Sequence, residues 1–138
     1  MIDSVLYKTV KFITTDSLKN NYSTFQILDT REIKEFNTSH LDGATYVGYN
    51  KFNLKETLQN LTKDQPIVVY CSIGFRSEKI AEKLKKKGFN VYNLYGGIFQ
   101  WKNCGNDVVT NSGEKTEQVH CFNEEWSQWL TNGEKIYE

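Results

Sequence analysis

The sequence predicts an α/β fold with a mainly parallel central sheet flanked by helices, on three observations. Ile67-Val68-Val69-Tyr70 is an apolar, largely β-branched run with no polar alternation, the pattern of a strand buried on both faces. After the short stretch Cys71–Ser77, the segment Glu78–Lys87 carries Ile80, Ala81 and Leu84 on one stripe at helical spacing, and Gly88 stands where it can end that helix. The same strand-then-helix alternation recurs along the chain with short connections, which is how parallel sheets are built.

In chain order, Thr14, Thr15 and Asp16 are candidate N-caps for a short helix over Ser17–Tyr22. Phe25–Leu28 reads as a strand ending at Asp29-Thr30-Arg31-Glu32. A helix with Ile33 and Phe36 on one face follows, and Asp29 and Glu32 have the spacing of a capping box. Asn37–His40 breaks that helix, Leu41–Ala44 is a turn, and Thr45–Gly48 is a candidate strand. Leu54, Leu58 and Leu61 mark a helix over Asn53–Leu61, and Pro66 stands just before the central strand, where it breaks no ladder. Asn90–Leu94 is the next strand, Tyr95-Gly96-Gly97 a turn, and Ile98–Trp101 the start of a short apolar helix. Beyond Asn103, Asp107–Thr110 and Thr116–Cys121 around Asn111-Ser112-Gly113 read as a hairpin. Glu124–Leu130 reads as a last amphipathic helix, stopped by Asn132-Gly133.

The chain of 138 residues is one domain long, with a core over about 14–102 and an extension over about 103–138. With 25% charged and 38% hydrophobic residues it has the composition of a globular domain, and a formal net charge of zero gives no reason to expect nucleic acid or an anionic membrane as partner. The basic run Lys83–Lys87 fits a solvated helix end, where cations suit the dipole. Three irregularly spaced cysteines (71, 104 and 121) argue against a disulfide framework and for a reducing compartment. No stretch approaches the ~20 apolar residues of a membrane span. The expected location is therefore the cytoplasm.

The candidate site is the loop after the central strand. In parallel sheets ligands bind beyond the carboxyl ends of the strands, and Cys71 stands at one of those ends, under a helix start. A nucleophilic thiolate needs positive potential, hydrogen-bond donors and access. Gly74 frees the backbone to curl its N–H groups inward, Ser72 is small, Arg76 can turn back toward an anion, and Ser77 can cap the helix or donate a hydroxyl. The plain alternative is a buried strand cysteine.

These residues, in this order, resemble the single-domain rhodaneses, a sulfurtransferase family. Val69-Tyr70-Cys71-Ser72-Ile73-Gly74-Phe75-Arg76-Ser77 is similar to the family's active-site loop. Leu28–Glu32 with Glu35-Phe36, then His40–Ala44, then Asn93–Ile98 with Trp101, resemble its other signatures in order. The resemblance implies a rhodanese-like three-layer fold and Cys71 as a nucleophile that takes sulfane sulfur as a persulfide from a small donor (thiosulfate or a persulfide). The sulfur would pass to cyanide or a thiol acceptor, with a protein donor or acceptor also compatible. No cofactor and no metal are implied. Ser72, Ile73, Gly74, Phe75, Arg76 and Ser77 would line the substrate site, with Arg76 either binding the donor anion or bracing the loop.

Four residues separate Cys71 from Arg76. Cys-based phosphatases and arsenate reductases place one more there to cradle a tetrahedral anion, so the shorter loop favours a single sulfur atom. The other alternative is a non-catalytic rhodanese-like binding module. Many active members carry a basic residue after the cysteine; here Ser72, Ile73 and Phe75 make the pocket less positive, with a weaker hold on a dianion. Asp29 and Arg31 are expected to brace the strand end, and His40 to be a hydrogen-bonded loop histidine. Cys104 or Cys121 would act as an internal sulfur acceptor only if the tail folds over the loop.

Overall fold

The computed structural model describes residues 10–137. Its centre is a five-stranded, wholly parallel sheet in the order β1 (Lys11–Ile13), β5 (Val91–Leu94), β4 (Ile67–Tyr70), β2 (Gln26–Asp29) and β3 (Thr45–Tyr46). The expected α/β architecture is present. The helices between the strands are α1 (Thr15–Asn20), α2 (Ile33–Thr38), α3 (Leu54–Gln59), α4 (Phe75–Lys86) and α5 (Gly97–Asn103). None is long and apolar enough to cross a membrane.

The unalternating apolar run of β4 has the predicted cause. Every one of its residues is buried, and its pleat divides them between two cores. Val68 and Tyr70 join Leu18, Leu41, Leu94, Ile98 and Phe99 on one face, while Ile67 and Val69 join Ile80, Ala81 and Leu84 from α4 on the other. Successive side chains of a strand point to opposite faces, so Cys71, two residues beyond Val69, leaves the strand on the α4 side.

The carboxyl end of β2 is fixed by a buried polar network. Arg31 donates to both carboxylate oxygens of Asp29 (3.0 Å and 2.7 Å) and to the Ser39 carbonyl (2.7 Å). The Tyr70 hydroxyl donates to Asp29 at 2.7 Å and accepts from the Leu41 N–H at 3.1 Å. Burial by itself disfavours the charged guanidinium, but the adjacent Asp29 carboxylate outweighs it and holds Arg31 protonated. Burial first, and the Asp29 charge second, push the Tyr70 hydroxyl well above its ordinary value.

Several boundaries differ from the sequence reading, each for a local reason. Strand β1 was not expected; it is a short edge strand with only Ile13 fully turned into the core. The capping box belongs to Glu32 and Glu35, because Asp29 is committed to Arg31. Helix α4 begins at Phe75, so Arg76 and Ser77 lie in its first turn and not in the loop.

The hairpin forms only between β6 (Val108–Val109) and β7 (Lys115–Thr116). Strand β8 (Gln118–His120), expected within the same hairpin, instead pairs in parallel with an unforeseen last strand, β9 (Glu134–Ile136). Val119 and Cys121 are fully buried in the core on this side, which a straight continuation of the polar hairpin would not achieve. Helix α6 (Glu124–Ser127) is shorter than predicted, because the Asn103 side chain captures the following backbone at Trp129, Thr131 and Asn132.

Replacing Tyr70 by Phe leaves the Leu41 N–H without its acceptor and removes one of the donors to Asp29, which keeps those from Arg31. The expected loss is about 1–3 kcal/mol of unfolding free energy in urea at neutral pH. The raised folded value also sets a sign. Stability is full below the ordinary tyrosine value of 10.0 and falls as pH rises above it, because only the unfolded chain then ionises. Tyr70→Phe should flatten that alkaline fall.

Candidate active site

The loop closes because three kinds of backbone contact agree. Gly74 takes φ 112°, a left-handed conformation that turns the chain into α4 without strain. Its N–H donates to Cys71 Sγ at 3.1 Å. The carbonyls of Cys71 and Ser72 accept from the Ile98 and Phe99 N–H groups at the start of α5, at 2.9 and 3.1 Å. In a trans peptide N–H and C=O point oppositely, so the Ser72 and Ile73 N–H groups face away from α5.

This docking requires Gly97. A Cβ there would lie 2.4 Å from the Cys71 carbonyl oxygen and 2.5 Å from that of Ser72, and its φ of 60° is itself left-handed.

Beneath the loop, the Ser77 hydroxyl lies 2.6 Å from Asn93 Oδ1, 3.1 Å from the Gly74 carbonyl and 3.5 Å from Cys71 Sγ. Its single proton serves one of these at a time, and Asn93 offers the shortest contact. Asn93 in turn donates to the Gly74 carbonyl and to Glu78, whose other carboxylate oxygen accepts the Val10 N–H.

Arg76 is 5% exposed, and its terminal nitrogens form a fork on the fully buried Glu35 carboxylate at 2.9 and 3.1 Å. One of them also donates to Ser72 Oγ at 3.0 Å. In this structure the Arg76 fork is thus taken by a protein carboxylate. The Phe122 and Trp126 rings of the extension cover the guanidinium, with centroids 4.5 and 5.5 Å from its carbon.

The predicted residues Cys71–Ser77 therefore come together, and Cys71 itself is fully buried. Of the other candidates, His40 donates through Nδ1–H to the Phe36 carbonyl and stacks on the Phe36 ring, as a loop histidine would. Cys104 is exposed, away from the sheet end, at the C-terminus of α5. Cys121 is buried, and that burial pushes its thiol up, against thiolate formation. Asn93, Glu35 and Gly97 entered the sequence reading only as parts of the resembling motifs, and neither they nor Glu78 and Phe122 had an expected role at the site. Asn93, a polar residue inside the buried run of β5, is the one signal that a sequence reading could have used.

Residues 14–104 match the family model described as the rhodanese-like domain. The chain belongs to the rhodanese-like domain family. The uncharacterized protein YqhL of Bacillus subtilis is 33% identical over 104 residues, covering 73% of this chain and 81% of that one. The thiosulfate sulfurtransferase GlpE of Shewanella oneidensis is 39% identical over 77 residues, 55% of this chain and 74% of GlpE. A crystal structure of a rhodanese-related protein from Thermoplasma volcanium superposes with a TM-score of 0.66 at 28% identity, covering 72% of this chain and 97% of that one. The rhodanese-like fold and a sulfurtransferase-type family setting follow from these likenesses, and residues 105–138 lie outside the family match.

Replacing Gly97 by Ala should cost on the order of 2–4 kcal/mol in chemical denaturation, since overlap with backbone cannot relax by a rotamer change. Glu35→Ala, which strands a buried guanidinium, should cost about 3–5 kcal/mol in the same measurement.

Proposed function

We propose that this rhodanese-like domain is a sulfurtransferase that carries sulfane sulfur as a persulfide on Cys71. The observation that carries this reading is the Gly74 N–H donating to Cys71 Sγ, in a curl held open by α5 and set at the start of α4. Fixed N–H groups and a helix N-terminus favour sulfur as an anion, both as thiolate and as persulfide.

In this reading the Cys71 thiolate attacks the outer sulfur of the donor. The donor's S–S bond breaks, and its remainder leaves with the bonding pair, as sulfite from thiosulfate or as a thiolate from an organic persulfide. An acceptor, cyanide or a thiolate, then attacks the terminal sulfur. The pair returns to Cys71, and thiocyanate or a new persulfide is released. Gly74 and Ser72 shape the cup, Ile73 and Phe75 exclude water from it, and Ser77 supplies a hydroxyl that can turn from Asn93 to the sulfur. Arg76 braces the loop through Glu35. The same atoms are also compatible with a protein as donor or acceptor.

The full burial of Cys71 favours a second reading, a non-catalytic rhodanese-like module. Mass spectrometry of the intact protein separates the two. After incubation with thiosulfate, an alkyl persulfide, or a cysteine desulfurase supplied with cysteine, the expected outcome is a gain of one sulfur atom. That gain should be removed by cyanide and absent in Cys71→Ser. No gain from any donor would decide for the binding module.

A further inference from the structure

The part of the chain outside the family match reaches into the site. Phe122 follows β8 with φ 69°, a left-handed conformation that an aromatic residue rarely takes. The turn is locked locally. The Phe122 N–H donates to His120 Nδ1 at 3.0 Å, the Asn123 N–H to the Cys121 carbonyl at 2.7 Å, and the Trp126 N–H to Asn123 Oδ1 at 2.8 Å. What this conformation achieves is the placement of the ring on Arg76, with Trp126 beside it at 4.6 Å between centroids.

The charge of Arg76 is therefore enclosed. Its terminal nitrogens are committed to Glu35 and Ser72, and aromatic rings cover the guanidinium. Its Nε–H is buried and, among the described residues, has no hydrogen-bond partner. The loop from Ser72 to Phe75 brings no cation of its own. A dianion approaching Cys71 thus meets a neutralised arginine beside a buried carboxylate, which offers it little attraction in exchange for its water.

We propose that Phe122, supported by Trp126, is a specificity-determining residue that screens Arg76 and makes the Cys71 site favour sulfur donors of low charge over a compact dianion. This rests on the sulfur-transfer reading for its substrate class. Alkyl persulfides, which carry one charge at most, suit such a site better than thiosulfate.

The test is charge selectivity at Cys71, read by peptide mass spectrometry as the ratio of alkylation rates with iodoacetate and iodoacetamide. Phe122→Gly removes the ring while glycine keeps the left-handed backbone, and Phe122→Tyr keeps the ring. In the wild type the ratio at Cys71 should lie below that at exposed Cys104. Phe122→Gly should raise the Cys71 ratio about three- to tenfold, to above the value for free glutathione, with Cys104 unchanged and Phe122→Tyr like the wild type. Unfolding would bring the ratio only to the glutathione value, so a ratio that stays put or stops there overturns the proposal.

The sulfur-loading rate with thiosulfate relative to an alkyl persulfide should rise in parallel. Sulfur transfer with an unchanged donor preference overturns the proposal as well. If the alkylation ratio moves while no variant gains sulfur from either donor, the screening of Arg76 stands and the sulfur-transfer reading falls.

Discussion

The ion pair between Arg76 and Glu35 is the contact on which the site depends. Removing two such charges from water costs several kcal/mol per ion, and only good geometry with further hydrogen bonds recovers it. Glu35 meets that condition by doing two things at once. One of its oxygens accepts the Glu32 N–H and closes the capping box of α2, while both receive the Arg76 fork. Arg76 then holds Ser72, the first residue of the curl. The start of α2, the start of α4 and the loop between β4 and α4 are thereby one mechanical unit.

A second polar network does the same for the neighbouring strand end. Asp29 and Arg31 cross-link the end of β2 to Tyr70, and Thr30 returns to the Tyr70 carbonyl through both its N–H and its hydroxyl. Tyr70 immediately precedes Cys71, so the sulfur's starting point is fixed from the β2 side while α5 fixes the loop from the other. Between the two core clusters, β4 has little freedom to shift. The cysteine is positioned by the most buried strand of the protein and not by the loop alone.

How far the sequence could show this follows from the range of each interaction. The parallel sheet was legible because β4 is apolar without alternation, and the candidate-site loop because Cys71, Gly74, Arg76 and Ser77 are close in the chain. The partners that complete the site are distant along it. Glu35 is 41 residues from Arg76 and Asn93 is 16 from Ser77, and no local pattern announces such pairings. The capping box was displaced by one turn for a local reason, since Asp29 is claimed by the guanidinium two residues on. Beyond residue 104 local patterns were weakest: the turn at Gly113 was visible, but the parallel pairing of β8 with β9 depends on where Val119 and Cys121 find a core.

The enclosure of Arg76 also separates two electrostatic tasks that a single arginine is often asked to perform. Stabilising a thiolate needs fixed dipoles within hydrogen-bond reach, and Gly74 N–H with the first turn of the twelve-residue helix α4 supplies them without any side-chain charge. Recruiting an anionic donor needs a field that extends into solvent, and an arginine bonded to a buried carboxylate and covered by Phe122 and Trp126 projects little of one. On the proposed sulfur-transfer reading, the support for a Cys71 thiolate can therefore be retained while the attraction for anions is reduced. The loop sequence leads to the same division, because Ser72, Ile73 and Phe75 reduce positive charge in the cup and leave its backbone donors intact. The proposed screening would make residues within the family core and a residue outside it act in the same direction, since Phe122 of the extension is in contact with Arg76.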